Sequence, residues 1–166
     1  MVCEYRCYGA HTLTMETICV PVGDGGEPVI ANCTPHDICI DMGEKGRLVI
    51  ERQPPCIRAI SAPVEPVDNP YDTKGLCIPI VSEHKFTGID EKSVEFVKSH
   101  PNKMIIASMV SAKVLADTFK GRAFFHPDTG PDSVVRDETG RITGSKRLCM
   151  CIVEEDKEPS AKKGKK

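Results

Sequence analysis

Asn32, Thr34 and His36 place an amide, a hydroxyl and an imidazole within one short segment, Asn32-Cys33-Thr34-Pro35-His36. Pro35 restricts the backbone between them, so the segment can hold out a fixed polar edge to a ligand. The same residues can instead serve the chain itself, with Asn32 and Thr34 closing a turn and His36 bonding a carbonyl. A single histidine does not establish general acid–base chemistry. A second concentration of polar groups on stiff backbone is His126-Pro127-Asp128-Thr129-Gly130-Pro131-Asp132. Its carboxylates could accept from ribose hydroxyls or hold a divalent cation, or they could close local Asx turns. Arg136, just beyond, suits bidentate pairing with a phosphate and equally a surface carboxylate.

Ser108 follows the apolar run Met104-Ile105-Ile106-Ala107 and precedes a helical pattern ending near Phe119. An N-cap serine satisfies its own helix, and the remaining free N–H groups with the helix dipole form a natural anion site. In Phe124-Phe125, strand alternation sends the two rings to opposite faces, which puts Phe125 forward as a pocket residue beside His126. The candidate ligand-binding set is therefore Asn32, Thr34, His36, Ser108, Phe125, Asp128, Thr129 and Arg136. No residue is assigned a catalytic role, no metal site is assigned and no cofactor is implied.

The elements that must position these groups follow from periodicity. A strand is expected over Thr17 to Val22, another over Val29 to Asn32, and a hairpin from Asp37 to Met42 and Arg47 to Arg52, with Ile38, Ile40 and Met42 on one face. Pro54 and Pro55 break this pattern, Cys56 to Ser61 resumes it, and Ala62 to Gly75 reads as a proline-rich surface loop. Leu76 to Val81 is a strand candidate confined to an edge by Pro79. Asp90 caps a short helix that His100-Pro101 ends. Met104 to Ala107 reads as a strand covered on both faces, leading into the principal helix with a stripe of Val110, Val114 and Leu115 stopped by Gly121. Arg122 to Phe125, a hairpin around Asp137 to Gly140, and Arg147 to Val153 complete an α+β domain. It has a compact mixed or mainly antiparallel sheet, one principal helix and one short helix. The expected organisation is a cysteine-containing extension over 1–28, one domain over 29–153 and a disordered lysine-rich tail over 154–166.

The 166 residues suffice for one core, and the net charge of -2 provides no broad basic field for extended nucleic acid. No apolar stretch approaches the roughly 20 residues that span a bilayer, and Met1-Val2-Cys3-Glu4-Tyr5-Arg6 lacks the order of a signal peptide, so the expected location is the cytoplasm. The nine cysteines contain no CxxC pair, so most are expected to be free thiols. Cys3, Cys7 and His11 are spaced as three ligands lacking a fourth. A homo-oligomer is compatible with the sequence.

The order of three segments resembles a small family of uncharacterised bacteriophage and actinobacterial proteins. Their pattern is Asn-Leu-Thr-Pro-His, a strand-to-helix segment ending in serine, and Val-Arg-Asp/Asn-x-x-Gly-x-Ile-x-Gly. The matching residues are Asn32 to His36, Met104 to Ser108 and Val135 to Gly144, with Cys33 in place of Leu. The likeness runs from about Val29 to Leu148 and leaves out the N-terminal extension and the lysine tail. It implies a phage or mobile-element setting, the host cytoplasm, and an α+β domain, without an activity. The leading expectation is a non-enzymatic binder of a small anionic, nucleotide-like ligand that sequesters a host defence signal. The alternatives are a hydrolase or lyase using His36 with Asp128 or Asp132, and a structural or interaction protein of a virion.

Overall fold

Ile105 and Ile106 are wholly buried although neighbouring strand residues point to opposite faces, so their strand must have a hydrophobic layer on each side. The computed structural model describes residues 29–68 and 79–155, together with the backbone of two short strands, β1 (Tyr5–Arg6) and β2 (Val20–Pro21), which pair antiparallel. Only Val20 and Pro21 of the strand expected over Thr17 to Val22 fall within the described set. Cys3, Cys7 and His11, and the tail beyond residue 155, fall outside it.

Along the chain come β3 (Ile30–Asn32), β4 (Ile38–Asp41), a 3-10 turn (Gly43–Lys45), β5 (Arg47–Ile50), β6 (Ala59–Ser61), β7 (Pro66–Val67), β8 (Ile80–Val81) and β9 (Phe86–Ile89). After these lie α1 (Glu91–Ser99), β10 (Met104–Ile106), α2 (Met109–Thr118), β11 (Phe124–Pro127), β12 (Val134–Arg136), β13 (Ile142–Ser145) and β14 (Leu148–Cys151). The central sheet has the order β14-β11-β10-β3, with β3, β10 and β11 parallel and β14 antiparallel at its edge. A second mixed sheet has the order β12-β13-β4-β5. Two small antiparallel ribbons, β6-β9 and β7-β8, complete the described architecture. The fold is α+β.

Two apolar layers sandwich the central sheet. On one face Ala31, Ile105 and Phe124 join Val97 of α1 and Ala112, Leu115 and Ala116 of α2. On the other, Ile106 meets Ile38, Ile40 and Ile50 of the second sheet, with Ile30 and Phe125 against them. Burial of Ile105 and Ile106 contributes roughly 1.5–3 kcal/mol each, and their opposite orientations bind both layers to one strand. The alternation expected for Ile38, Ile40 and Met42 holds, since all three belong to the second layer.

Helix α1 starts where Asp90 accepts from Ser93 N at 3.0 Å, and α2 starts at Ser108, whose Oγ accepts from Ser111 N at 3.2 Å. The buried stripe of α2 departs from the expected Val110, Val114 and Leu115. Its fully covered residues are Ser111, Ala112, Leu115 and Ala116, with Val114 at the border. Small side chains let the helix settle close to β11, and Ser111 remains inside because its hydroxyl donates to Ile57 O and accepts from Ala59 N.

Two further differences concern the ribbons. The loop expected from Ala62 to Gly75 contains β7, and its partner is Ile80–Val81, which with Pro79 makes up the described part of the strand expected over Leu76 to Val81. Pro66 fits there as the first residue of an edge strand. β9 pairs with β6 across the intervening chain, a strand not anticipated because Gly88 interrupts its apolar pattern. No helix in the described residues is long and apolar enough to cross a membrane.

Candidate functional site

Parallel strands release their following loops at the same sheet edge, and an open sheet characteristically binds ligands outside the carboxyl ends of its strands. β3, β10 and β11 are adjacent and parallel, so Thr34, Ser108 and Asp128, each within two residues of its strand's end, are brought together there. Backbone bonds extend the register into the loops, from Cys33 N to Ile106 O at 2.8 Å and from Ala107 N to Phe125 O at 2.9 Å. The loops form one side of a cleft of about 710 Å³, and Ile38, Cys39 and Ile142 to Ser145 of the second sheet face them. Thr34, His36, Ser108, Asp128 and Thr129 all line it.

Each lining residue has a different freedom to act. Thr34 Oγ1 lies 2.7 Å from Asn32 Oδ1 and 2.6 Å from His36 O, and its single proton can serve only one acceptor at a time. The exposed His36 imidazole makes no hydrogen bond within the described residues. Ser108 Oγ is occupied as the cap and donates to Ser111 Oγ at 2.9 Å. Asp128 closes an Asx turn by accepting from Gly130 N at 2.9 Å, while its other oxygen accepts from Arg147 Nε at 2.6 Å. The buried hydroxyl of Ser133 lies beside this carboxylate without reaching hydrogen-bond geometry. The exposed Thr129 hydroxyl faces the cleft without a partner in the described residues.

Three expected ligand contacts have other places. Asn32 is fully buried beneath the loop, where its amide bonds the chain and does not reach the cleft wall. Phe125 faces the second sheet and packs with Ile106 and Ile38, because the two-residue period that turns Phe124 to the helices turns Phe125 away from them. Arg136 Nη1 donates to Gly140 O at 2.6 Å across its own hairpin and lies outside the cleft. The residue that sequence reasoning missed is Arg141, at the other end of the same turn. Its guanidinium makes no hydrogen bond or ion pair within the described residues, and it lines the cleft with the exposed side chains of Met109 and Ile142. Asp132, named with His36 in the hydrolase alternative, is exposed and does not line the cleft.

Gly144 sets how closely β13 approaches β4 within the sheet that forms one side of the cleft. A Cβ there would stand 2.7 Å from Cys39 O, a backbone atom that cannot swing aside. Gly144→Ala is expected to force β13 off β4 and to cost about 1–2 kcal/mol, as overpacking of a close backbone approach does. Urea denaturation with a lowered midpoint and unchanged slope checks this.

Electrostatics around the loops favour ionised carboxylates. The Gly130 N–H and the Arg147 guanidinium hold Asp128 below its ordinary 3.8, the Ser93 hydroxyl does the same for Asp90, and the Thr139 hydroxyl for Asp137. Groups whose folded pKa is depressed bind protons less readily than in the unfolded chain. Their stabilisation is present above the unfolded value and is lost as pH falls through the folded one. The urea midpoint is therefore expected to hold from neutral pH to about pH 5 and to drop below about pH 4; a midpoint insensitive to acid would contradict these contacts. Burial has the opposite effect on the Cys33 thiol, pushing it up to about 12, which suits the small apolar group expected of a free cysteine. Cys33, Cys39, Cys56, Cys149 and Cys151 are all free thiols. No group of three or more metal-ligating side chains occurs among the described residues. Compared with protein-family models, curated proteins and solved structures, the chain matches none.

Proposed function

We propose that this protein binds a small anionic, nucleotide-like ligand without transforming it, in the cleft at the carboxyl edge of the central sheet. The observation that carries the reading is the convergence of three strand-end loops on one cavity of about 710 Å³, a size suited to such a molecule. Arg141 supplies an unpaired positive charge, the first turn of α2 supplies backbone N–H groups beside Ser108, and Met109 and Ile142 offer apolar surface to a flat ring.

Binding in preference to turnover is supported by how the polar groups are committed. Both Asp128 oxygens are taken by Gly130 N and Arg147, Ser108 Oγ caps its helix, and the His36 imidazole has no orienting partner among the described residues. A nucleophile and its base need to be within hydrogen-bond reach of one another. The likeness to phage proteins extends the proposal to sequestration of a host defence signal.

Isothermal titration with a nucleotide panel, followed by denaturation and mass spectrometry of the released ligand, tests the reading. Recovery of unaltered ligand is expected; altered ligand would move the cleft to the hydrolase or lyase alternative. Arg141→Ala is expected to weaken binding about tenfold, near 1.4 kcal/mol, by removing a charge-assisted contact. Its urea midpoint should match that of the parent, since the exposed guanidinium supports no described part of the fold.

A further inference from the structure

Thr34 and Pro35 are walls of two cavities. Behind them, on the side away from Ser108, a groove of about 360 Å³ is lined by Arg52, Gln53, Cys56 and Arg58. Arg58 makes no hydrogen bond or ion pair within the described residues, and the guanidinium of Arg52 has one acceptor there, Pro35 O at 3.3 Å. Asp37 accepts from the Arg52 backbone N–H at 2.8 Å, but among the described residues no carboxylate lines the groove or forms an ion pair with either guanidinium. It is half the size of the main cleft and carries no aliphatic or aromatic side chain beyond its prolines for a second base to stack on. The main cleft has the converse character, with Met109 and Ile142 exposed at 48% and 52% and suited to the faces of a ring.

We propose that the ligand is a pyrophosphate-bearing nucleotide, its base held in the main cleft by Met109 and Ile142 and its terminal phosphoryl group carried past Thr34-Pro35 into the groove between Arg52 and Arg58. This assignment rests on the nucleotide-binding reading above and adds the second phosphoryl group. Two guanidiniums present planar forks that suit the several oxygens of a pyrophosphate better than the single charge of a monoester. Thr34 and Pro35 line both cavities, so the groove adjoins the main cleft across this loop and one extended molecule crossing it would reach both.

Two cysteines report on the two cavities separately, because Cys39 belongs to the wall of the main cleft and Cys56 to the groove. The full-length protein is alkylated with iodoacetamide at mildly alkaline pH, alone or with saturating AMP, ADP, GMP or GDP, and modification is followed by peptide mass spectrometry. A nucleoside diphosphate is expected to slow alkylation of Cys39 and of Cys56 at least fivefold each, and its monophosphate to slow Cys39 alone. Titration should give a diphosphate affinity at least tenfold above the monophosphate, and Arg52→Ala with Arg58→Ala should reduce it to the monophosphate's level. Protection of Cys39 with Cys56 unprotected, or equal affinity for mono- and diphosphates, overturns the groove assignment while leaving the binder reading in place. No protection of either thiol by any of the four overturns both. Should the double variant fold poorly, the thiol pattern of the parent protein decides alone.

Discussion

Asn32→Ala is expected to lower the stability of the protein by about 3–5 kcal/mol and to abolish ligand binding together with it. The amide is fully buried and makes three short hydrogen bonds to the backbone, with a fourth from the Thr34 hydroxyl that His36 O competes for. Nδ2 donates to His36 O at 2.9 Å and to Ile50 O at 2.8 Å, and Oδ1 accepts from Thr34 N at 3.0 Å and from Thr34 Oγ1 at 2.7 Å. Alanine would remove the amide donor from Ile50 O and the acceptor from Thr34 N in a place that a methyl group cannot fill, leaving only the Thr34 hydroxyl to serve His36 O. Because Ile50 ends β5 while Asn32 ends β3, the side chain also joins the two sheets at the point where the cleft begins. Asn32→Asp is nearly isosteric and is expected to be as harmful, since it would turn carboxylate lone pairs towards two carbonyl oxygens. Urea denaturation of both variants measures the loss. An aspartate variant as stable as the parent would show that shape, and not the donated bonds, holds the loop.

Arg122→Ala is expected to cost about 2–4 kcal/mol. The last turn of α1 and the chain leading from it to β10 present carbonyls that Arg122 gathers: Nη1 donates to Val97 O at 2.7 Å, and Nη2 to His100 O at 2.7 Å and Lys103 O at 3.3 Å. The guanidinium also lies 5.3 Å from the centre of the Phe124 ring, a cation–π placement over a wholly buried aromatic. A cation at a helix C-terminus gains further from the dipole. Arg122→Lys keeps the charge but cannot span three carbonyls with one planar fork, so its stability should fall between the parent and the alanine variant. Equal stability of Lys and Arg would reduce the interaction to charge alone. Hydrogen exchange localises the effect, with the amides of α1 losing protection first.

How far the sequence can be read depends on whether a local pattern or a distant partner decides the outcome. The β10-to-α2 transition was legible because Ile105 and Ile106 fill both faces of a strand and Ser108 caps the helix after it. β4 with β5, and β12 with β13, were legible from alternation around short turns. β9 was not, since Gly88 breaks its alternation and the partner strand β6 lies far back in the chain. In the cleft, Thr34, His36, Ser108, Asp128 and Thr129 were legible as polar groups on stiff backbone at strand ends or at a helix cap, whereas the parallel pairing that gathers their loops at one sheet edge was not. The choice between Arg136 and Arg141 was beyond sequence reasoning. Both flank the Asp137 to Gly140 turn, where the register of the hairpin shifts between Val135 and Arg136, and only the folded hairpin shows Arg136 bonded to Gly140 O and Arg141 lining the cleft. For Phe125 the alternation was readable, but which of its two faces met the second sheet depended on a packing partner that no spacing reveals.

The buried amide under the Thr34-Pro35-His36 loop also bears on the kinetics of recognition. A recognition loop that is free to wander must be ordered by its ligand, which weakens affinity and slows capture. Here that ordering is completed when the chain folds, so encounter is expected to be a single rapid step limited by diffusion into an open cavity. The Thr34 amide, bonded to Asn32 Oδ1, should exchange with deuterium only through global opening, with the same protection in the free and the ligand-saturated protein once the shift in overall stability is subtracted.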